Sequence, residues 1–184
     1  KGSDDMNLRL ASDLTLDSIV DGPGLRMVIW TQGCVHHCYK CHNPQTHKLD
    51  GGIIVNTDYI IRQIKKLKLH RGINLSGGEP FLQAGALSQV AKSAKEYGLD
   101  VWCYTGFLFE ELISKANPLY RENIKLLDYV DVLVDGKFIY SKKDIRLKFR
   151  GSSNQRIIDV KSSLEHNKVI LKYEYMEKEL GLVR

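Results

Sequence analysis

Three cysteines stand at positions i, i+4 and i+7 in Gly33-Cys34-Val35-His36-His37-Cys38-Tyr39-Lys40-Cys41-His42-Asn43-Pro44, just beyond an apolar run that ends in Trp30. A loop of that length can wrap three thiolates around one face of an inorganic cluster. Iron–sulfur centres are normally held by four cysteine thiolates. Three in one short loop leave one iron without a protein ligand, open to a substrate or cofactor. A three-Cys, one-His zinc site is an alternative, because His36, His37 and His42 share the stretch. Structural zinc motifs, however, usually use two C-x2-C pairs, and no second pair follows here. A disulfide framework fits less well, since three of the four cysteines crowd into one loop and staple no distant segments.

Polar and glycine-rich positions follow three more apolar runs: Gly77-Gly78-Glu79, Thr105-Gly106 and Asp135-Gly136-Lys137. At Gly77 and Gly78 the missing side chains let a ligand approach the backbone. Glu79 precedes Pro80 and is biased towards an extended conformation; its carboxylate can accept a charge-assisted hydrogen bond from an ammonium group. Thr105, Asp135 and Lys137 add a hydroxyl, an acceptor and a cation. An amino-acid group on an open iron, with a nucleoside beside it, would use all of these. Singly, each also reads as a turn, because glycine after a strand usually just turns the chain.

The elements that must carry these groups can be traced from periodicity. Asp21-Gly22-Pro23-Gly24 predicts a type II turn, and a buried strand over 25–31 leads into the cysteine loop. Asn56 or Thr57 caps an expected helix that runs to Leu69, with Ile60, Ile64 and Leu67 on one face and Gly72 as its stop. A strand over 73–75, a helix over 82–97 stopped by Gly98, and a strand over 99–104 follow. Helical stretches over 107–114 and 119–127 flank Pro118, and a strand covers 129–134. Beyond it 145–149 alternates weakly, 156–160 reads as a strand, and 169–173 as a last one. Strands alternating with helices imply a parallel sheet with right-handed crossovers. A closed eight-unit barrel needs about 200 residues or more. The expected fold class is therefore α/β, an open partial (β/α) barrel of about five to six mostly parallel strands. Its sites should lie beyond the carboxyl ends of the strands.

Composition narrows the setting. The 184 residues are 43% hydrophobic, enough for one domain with a sizeable core. That domain is expected over 6–184, with Lys1 to Asp5 read as an expression remnant. No apolar run is long enough for a membrane span and no secretory signal pattern is present, so no membrane association is expected. Clustered cysteines without an export signal point to the reducing cytoplasm. The net charge is +5, and the densest basic stretch, Lys65 to Arg71, falls at an expected helix end, where cations complement the dipole. Aromatic residues do not interleave with it as in a nucleic-acid platform, so no direct nucleic-acid contact is expected. Cys103 reads as a core residue, Asp131 and Asp159 as solvent-facing, and Ser153 and Asn154 as turn formers.

Cys34-x3-Cys38-x2-Cys41 with Gly77-Gly78-Glu79 resembles the radical S-adenosylmethionine superfamily. Val20-Asp21-Gly22-Pro23-Gly24-Leu25-Arg26 and Cys41-His42-Asn43-Pro44-Gln45-Thr46 are similar to glycyl-radical-enzyme activases. Arg150-Gly151-Ser152-Ser153-Asn154-Gln155-Arg156-Ile157-Ile158-Asp159-Val160 resembles the activating enzymes of anaerobic (class III) ribonucleotide reductase. The resemblance implies a [4Fe–4S] cluster on Cys34, Cys38 and Cys41, and S-adenosyl-L-methionine chelating the open iron. Reductive cleavage would give methionine and a 5′-deoxyadenosyl radical that takes a hydrogen atom from a glycine Cα of anaerobic ribonucleoside-triphosphate reductase. No side chain is then catalytic, because the cofactors carry the radical. The same resemblance puts Gly78 and Glu79 at the methionine end and the backbone of Lys40, Cys41 and His42 at the adenosine; Gly77 and Thr105 join the site on their own chemistry. Asp135, Gly136 and Lys137 match a cofactor-contacting strand end. An external one-electron donor such as flavodoxin or ferredoxin is implied. The chain departs from the pattern at Lys40, where an aromatic residue or glycine is common, and at His47, where tryptophan is. Another glycyl radical enzyme or a small molecule as substrate, and a zinc-stabilised binding module without catalysis, are the alternatives.

Overall fold

Local sequence accounts for most of the elements in the computed structural model, which describes residues 6–176; Lys1 to Asp5 and residues 177–184 lie outside the described residues. The strands are β1 (Asn7–Leu10), β2 (Thr15–Ser18), β3 (Arg26–Thr31), β4 (Ile53–Asn56), β5 (Gly72–Gly77), β6 (Asp100–Tyr104), β7 (Val132–Asp135) and β8 (Arg156–Asp159). The helices are α1 (Thr57–Ile64), α2 (Ala84–Glu96), α3 (Phe109–Leu112), α4 (Tyr120–Leu127) and α5 (Val160–His166).

The sheet has the order β4-β1-β3-β5-β6-β7-β8, with β2 also on β3. Its centre, β3-β5-β6-β7, is parallel, with Val28 opposite Asn74, Asn74 opposite Trp102 and Cys103 opposite Leu133. β1, β2, β4 and β8 join antiparallel. The expected α/β class and parallel core are present, but the expected five to six strands become eight among the described residues. The additions are four-residue pieces, too short to show a period, and they form because β3 and its neighbours offer unpaired edges. The sheet is open, since its outermost strands β4 and β8 do not pair with each other.

Alternation along the strands sorts two faces. Met27, Ile29, Ile73, Leu75, Val101, Cys103, Leu133 and Ile158 pack with Ile60 and Ile64 of α1, with Leu87, Val90, Ala91 and Ala94 of α2, and with Leu126 of α4. Each buried aliphatic side chain of this kind contributes about 1.5–3 kcal/mol, so this layer dominates the fold's stability. Cys103 is fully buried in it, as expected. Trp102, Val132, Val134 and Ile157 lie on the opposite face, covered by Tyr104, Phe149, Tyr175 and Met176.

Several boundaries differ from expectation. α1 is capped by Asn56, whose side chain accepts from Asp58 N at 2.8 Å, but it ends at Ile64 rather than Leu69. Leu67 still packs partly buried against the core, but Leu69 is 87% exposed, so nothing apolar holds the chain helical as far as 69. The basic run therefore lies past the helix end, and Gly72 opens β5 instead of stopping α1. α3 is one turn, shorter than 107–114, and β7 begins at Val132, not 129. Residues 145–149 form no strand; they belong to a strap that crosses the second face. At 160 the chain turns into α5, capped by the Asp159 carboxylate on Ser162 N at 3.0 Å. The expected last strand is reduced to one bridge, Leu171 to Ile158. Asp131 pairs with Lys95 at 2.6 Å and accepts from Val101 N, which makes it a fastener rather than a free surface acid.

Candidate functional site

The cysteine loop closes on itself before it meets anything else. Gly33 N donates to Thr46 O at 2.8 Å and Cys34 N to His47 O at 3.2 Å, so the loop's entry and exit run side by side. Gln32 Nε2 donates to Lys48 O at 2.6 Å and reinforces the closure. Inside, His37 and Lys40 take left-handed conformations, φ 47° and 53°, which swing the chain between the cysteines. Cys41 N donates to Cys38 O at 3.1 Å, and Asn43 N to Cys41 Sγ at 3.4 Å. The three thiols are free, with Cys34 buried and Cys38 and Cys41 half-buried.

All three line a cavity of about 510 Å³, together with His42, Gly77, Gly78, Thr105, Gly136 and Gln155. Four strand ends thus meet at one space, as the βα pattern required. Burial pushes the Cys34 and Cys38 thiols up; the Phe138 backbone and the Lys137 charge pull Cys38 part of the way back. His47 Nε2, on the cavity wall, is buried without a hydrogen-bond partner among the described residues. No group of three or more His, Cys, Asp and Glu side chains among the described residues is close enough together to hold one metal ion. A cluster spreads its ligands over separate irons and does not ask for that convergence.

Four of the expected contact residues do not line the cavity. Glu79 is fully buried behind it. One carboxylate oxygen accepts from Thr105 Oγ1 at 2.8 Å and Phe81 N at 3.0 Å. The other accepts from Gly106 N at 2.9 Å and lies 2.7 Å from His36 Nε2. The carboxylate therefore ties the cysteine loop, its own turn and the end of β6 into one unit. Asp135 is also fully buried, bonded to Phe109 N at 2.8 Å and to Arg156. Lys137 is exposed, and its carbonyl accepts from Asn154 Nδ2 at 2.9 Å, which ties the 150–155 segment to the end of β7. Lys40 is exposed with its ammonium 4.2 Å above the Tyr140 ring.

The two glycines serve the fold first. A Cβ on Gly78 would lie 2.3 Å from Gly33 O, and one on Gly77 would lie 2.5 Å from Thr31 N. Their missing side chains let β5's end press on the backbone that launches the cysteine loop.

Other wall residues escaped the sequence reading. His36, read from sequence only as a possible zinc ligand, packs its ring edge-on to Phe107 at 4.5 Å. Gln155 Nε2 donates to Gly136 O at 2.9 Å while Oε1 accepts from Gly151 N, fastening the 150–155 turn to β7's end. Its place in the Arg150-to-Val160 motif was the only signal. Arg26 is fully buried, bonded to Asn74, Asp100, Ile73 O and Pro23 O. It anchors the turn that carries Val20 and Asp21 to the cavity.

The family model of the 4Fe-4S single cluster domain matches residues 20–158. That span runs from Val20 to beyond Gln155, the first and last residues of the cavity wall. The anaerobic ribonucleoside-triphosphate reductase-activating protein of Vibrio cholerae is 38% identical over 147 residues, covering 76% of this chain and 90% of that protein. The chain belongs to the family of anaerobic ribonucleoside-triphosphate reductase-activating proteins. The family member of Escherichia coli (strain K12) is 36% identical over 146 residues, 74% of this chain and 90% of its own. That of Enterobacteria phage T4 is 31% identical over 150 residues, 75% of this chain and 86% of its own. No helix of this family member's described residues is long and apolar enough to cross a membrane.

Proposed function

We propose that this family member is a radical S-adenosylmethionine activase that installs a glycyl radical on an anaerobic ribonucleoside-triphosphate reductase. One observation carries the reading: three free thiols of a closed loop share a cavity with three further strand ends, in a chain whose relatives bear the activating-protein name. The open sheet corresponds, on this reading, to the partial (β/α) barrel of that superfamily, in a single domain working in the cytoplasm.

The residues present fit the group. Cys34, Cys38 and Cys41 would hold a [4Fe–4S] cluster and leave one iron for S-adenosyl-L-methionine. Together the two cofactors supply one-electron reductive cleavage to methionine and a 5′-deoxyadenosyl radical able to take a hydrogen atom from a glycine Cα. The chain's own residues bind and orient. Gly77 and Gly78 would offer backbone groups to the methionine end, beside Thr105, whose hydroxyl is bonded to Glu79 and Phe107 N; Cys41, His42 and the adjoining Lys40 backbone would border the adenosine. Glu79 acts through the segments it ties together, and Asp135 and Lys137 brace the strand end that presents Gly136. Burial of Cys34 and half-burial of Cys38 and Cys41 would limit access of water and oxygen to the cluster.

Anaerobic reconstitution with iron and sulfide tests the reading. The expected product is a brown protein with roughly four irons per chain. With S-adenosylmethionine, a reductant and an anaerobic reductase it gives a glycyl radical signal by electron paramagnetic resonance. Cys34→Ala, Cys38→Ala and Cys41→Ala each abolish 5′-deoxyadenosine formation. A colourless zinc protein, or full activity in any of the three variants, would overturn it.

A further inference from the structure

Basic residues concentrate in two stretches, 62–71 and 137–150, and only the second borders the cavity. Residues 137–150 hold six of the 27 basic residues and one of the 22 acidic ones, so 21 of each remain elsewhere. The segment's net charge is +5, equal to that of residues 62–71, which hold five basic residues and no acidic one. The 137–150 segment is the strap that crosses the second face of the sheet. Its ends are fastened: Ile139 N donates to the buried Ser152 Oγ at 3.1 Å, and Ser153 N donates to Lys142 O at 2.9 Å. Three of its apolar side chains point inward, while Ile145 is 90% exposed. Phe138 packs on His42 at 4.7 Å and Phe149 on Trp102 at 5.5 Å, and both rings, with Leu147, line the cavity. Lys142, Lys143, Arg146 and Lys148 are left on the exposed side. Of the weakly alternating 145–149 stretch, Leu147 and Phe149 face in and Arg146 and Lys148 face out, but Ile145 is exposed and breaks the alternation.

The strap also borders the cysteine loop. Tyr140 meets Tyr39 edge-on at 5.7 Å and carries the Lys40 ammonium on its ring. A cationic surface thus lies one strap's thickness from the proposed cluster.

We propose that the 137–150 strap is the docking surface for an acidic one-electron donor protein. The inference rests on the reading above, under which each turnover takes one electron from outside. That electron leaves a reduced flavin or iron–sulfur centre of the donor, oxidising it by one, and reduces the cluster by one; no atom is transferred. Electron-transfer encounters use small, charge-steered interfaces, which a mobile carrier can leave after each electron. Lysines alone do not distinguish carboxylates from phosphates. The strap's packing on the cysteine loop, Tyr140 on Tyr39 and Phe138 on His42, does, because a docked electron carrier gains from it and a nucleic acid does not.

Purified flavodoxin serves as the probe. Calorimetric titration into the reconstituted protein should show binding that weakens steeply as salt rises. The double substitution Lys142→Glu, Lys143→Glu, at exposed positions outside the cavity, should lower flavodoxin affinity and the rate of flavodoxin-driven cluster bleaching by about tenfold. Light-driven reduction by 5-deazariboflavin, a small uncharged donor, should be unchanged. Salt-insensitive binding, or equal flavodoxin rates in variant and wild type, overturns the proposal. So does a variant that loses affinity for a single-stranded oligonucleotide while keeping its flavodoxin rate, which would assign the strap to nucleic acid. A wild-type protein that 5-deazariboflavin cannot bleach sinks the iron–sulfur reading itself and the donor proposal with it. A bleachable cluster with unaltered flavodoxin binding sinks the donor proposal alone.

Discussion

His36 Nε2 lies 2.7 Å from a carboxylate oxygen of Glu79, and both side chains are buried. This contact joins the cysteine loop after β3 to the turn after β5. The same carboxylate holds Thr105 and Gly106 at the end of β6. Three of the four strand ends that form the site are therefore locked together by one acid, and Glu79 sets their spacing without lining the cavity.

Removing that acid should cost more than one cofactor contact. Glu79→Ala leaves Phe81 N, Gly106 N and Thr105 Oγ1 without their acceptor, and each buried unsatisfied group costs about 1–3 kcal/mol. Urea unfolding should show a loss of about 3 kcal/mol or more, and S-adenosylmethionine affinity should fall with it. Thr105→Val, which removes one of these bonds, should lose about 1–3 kcal/mol. A Glu79→Ala variant of unaltered stability would show that the network does not hold the site.

Gly78→Ala should damage the iron site specifically. The new methyl would press on Gly33 O, directly before Cys34, and overpacking of this kind costs about 1–3 kcal/mol. The yield of reconstituted iron should drop. Gly98→Ala is the control: Gly98 sits at φ +74° with open space around it, so strain of about 1–2 kcal/mol is expected with full iron uptake. Equal iron content in both variants would refute the steric account.

Arg26→Met should destabilise the protein by about 3 kcal/mol. It leaves Asn74 and the Pro23 carbonyl without their donor; Asp100 keeps Arg71 at 3.3 Å. Chemical denaturation measures the loss. Proteolysis at the 19–24 turn should quicken as well, because the turn loses its anchor.

Acid should weaken the clasp between Arg156 and Glu110. The Arg156 guanidinium, at 2.7 Å, holds the Glu110 carboxyl below its ordinary value near 4.5. A carboxyl depressed by folding adds stability above its unfolded pKa and loses it as pH falls through the lower folded value. Wild type should therefore exceed Glu110→Gln in stability near neutrality, by a margin kept small by solvent screening. The two should converge below about pH 4. Urea midpoints across that range decide it, and a gap that widened on acidification would have the wrong sign.

Residues close in sequence reported what they could. The i, i+4, i+7 cysteines, the 3.6-residue period of Leu87, Val90, Ala91 and Ala94, and the runs of β3, β5, β6 and β7 are short-range patterns. They sufficed for the α/β class, the parallel centre and the placing of Cys34, Gly78, Thr105 and Gly136 at strand ends. They could not show β1 and β4, because four residues hold too few alternations, and those strands exist through pairs such as Asn7 with Asn56. They could not show the strap, whose two apolar contacts depend on a distant sheet face.

The sequence by itself determined which groups reach the cavity rim, since strand direction and loop spacing are local properties. Only the tertiary structure decided which of them face a ligand and which brace the wall. Glu79 was expected to offer its carboxylate to an ammonium group, but His36, 43 residues away, and Thr105, 26 residues away, meet it first. A buried charge takes the nearest donors the fold supplies, and those donors are set by packing across the chain.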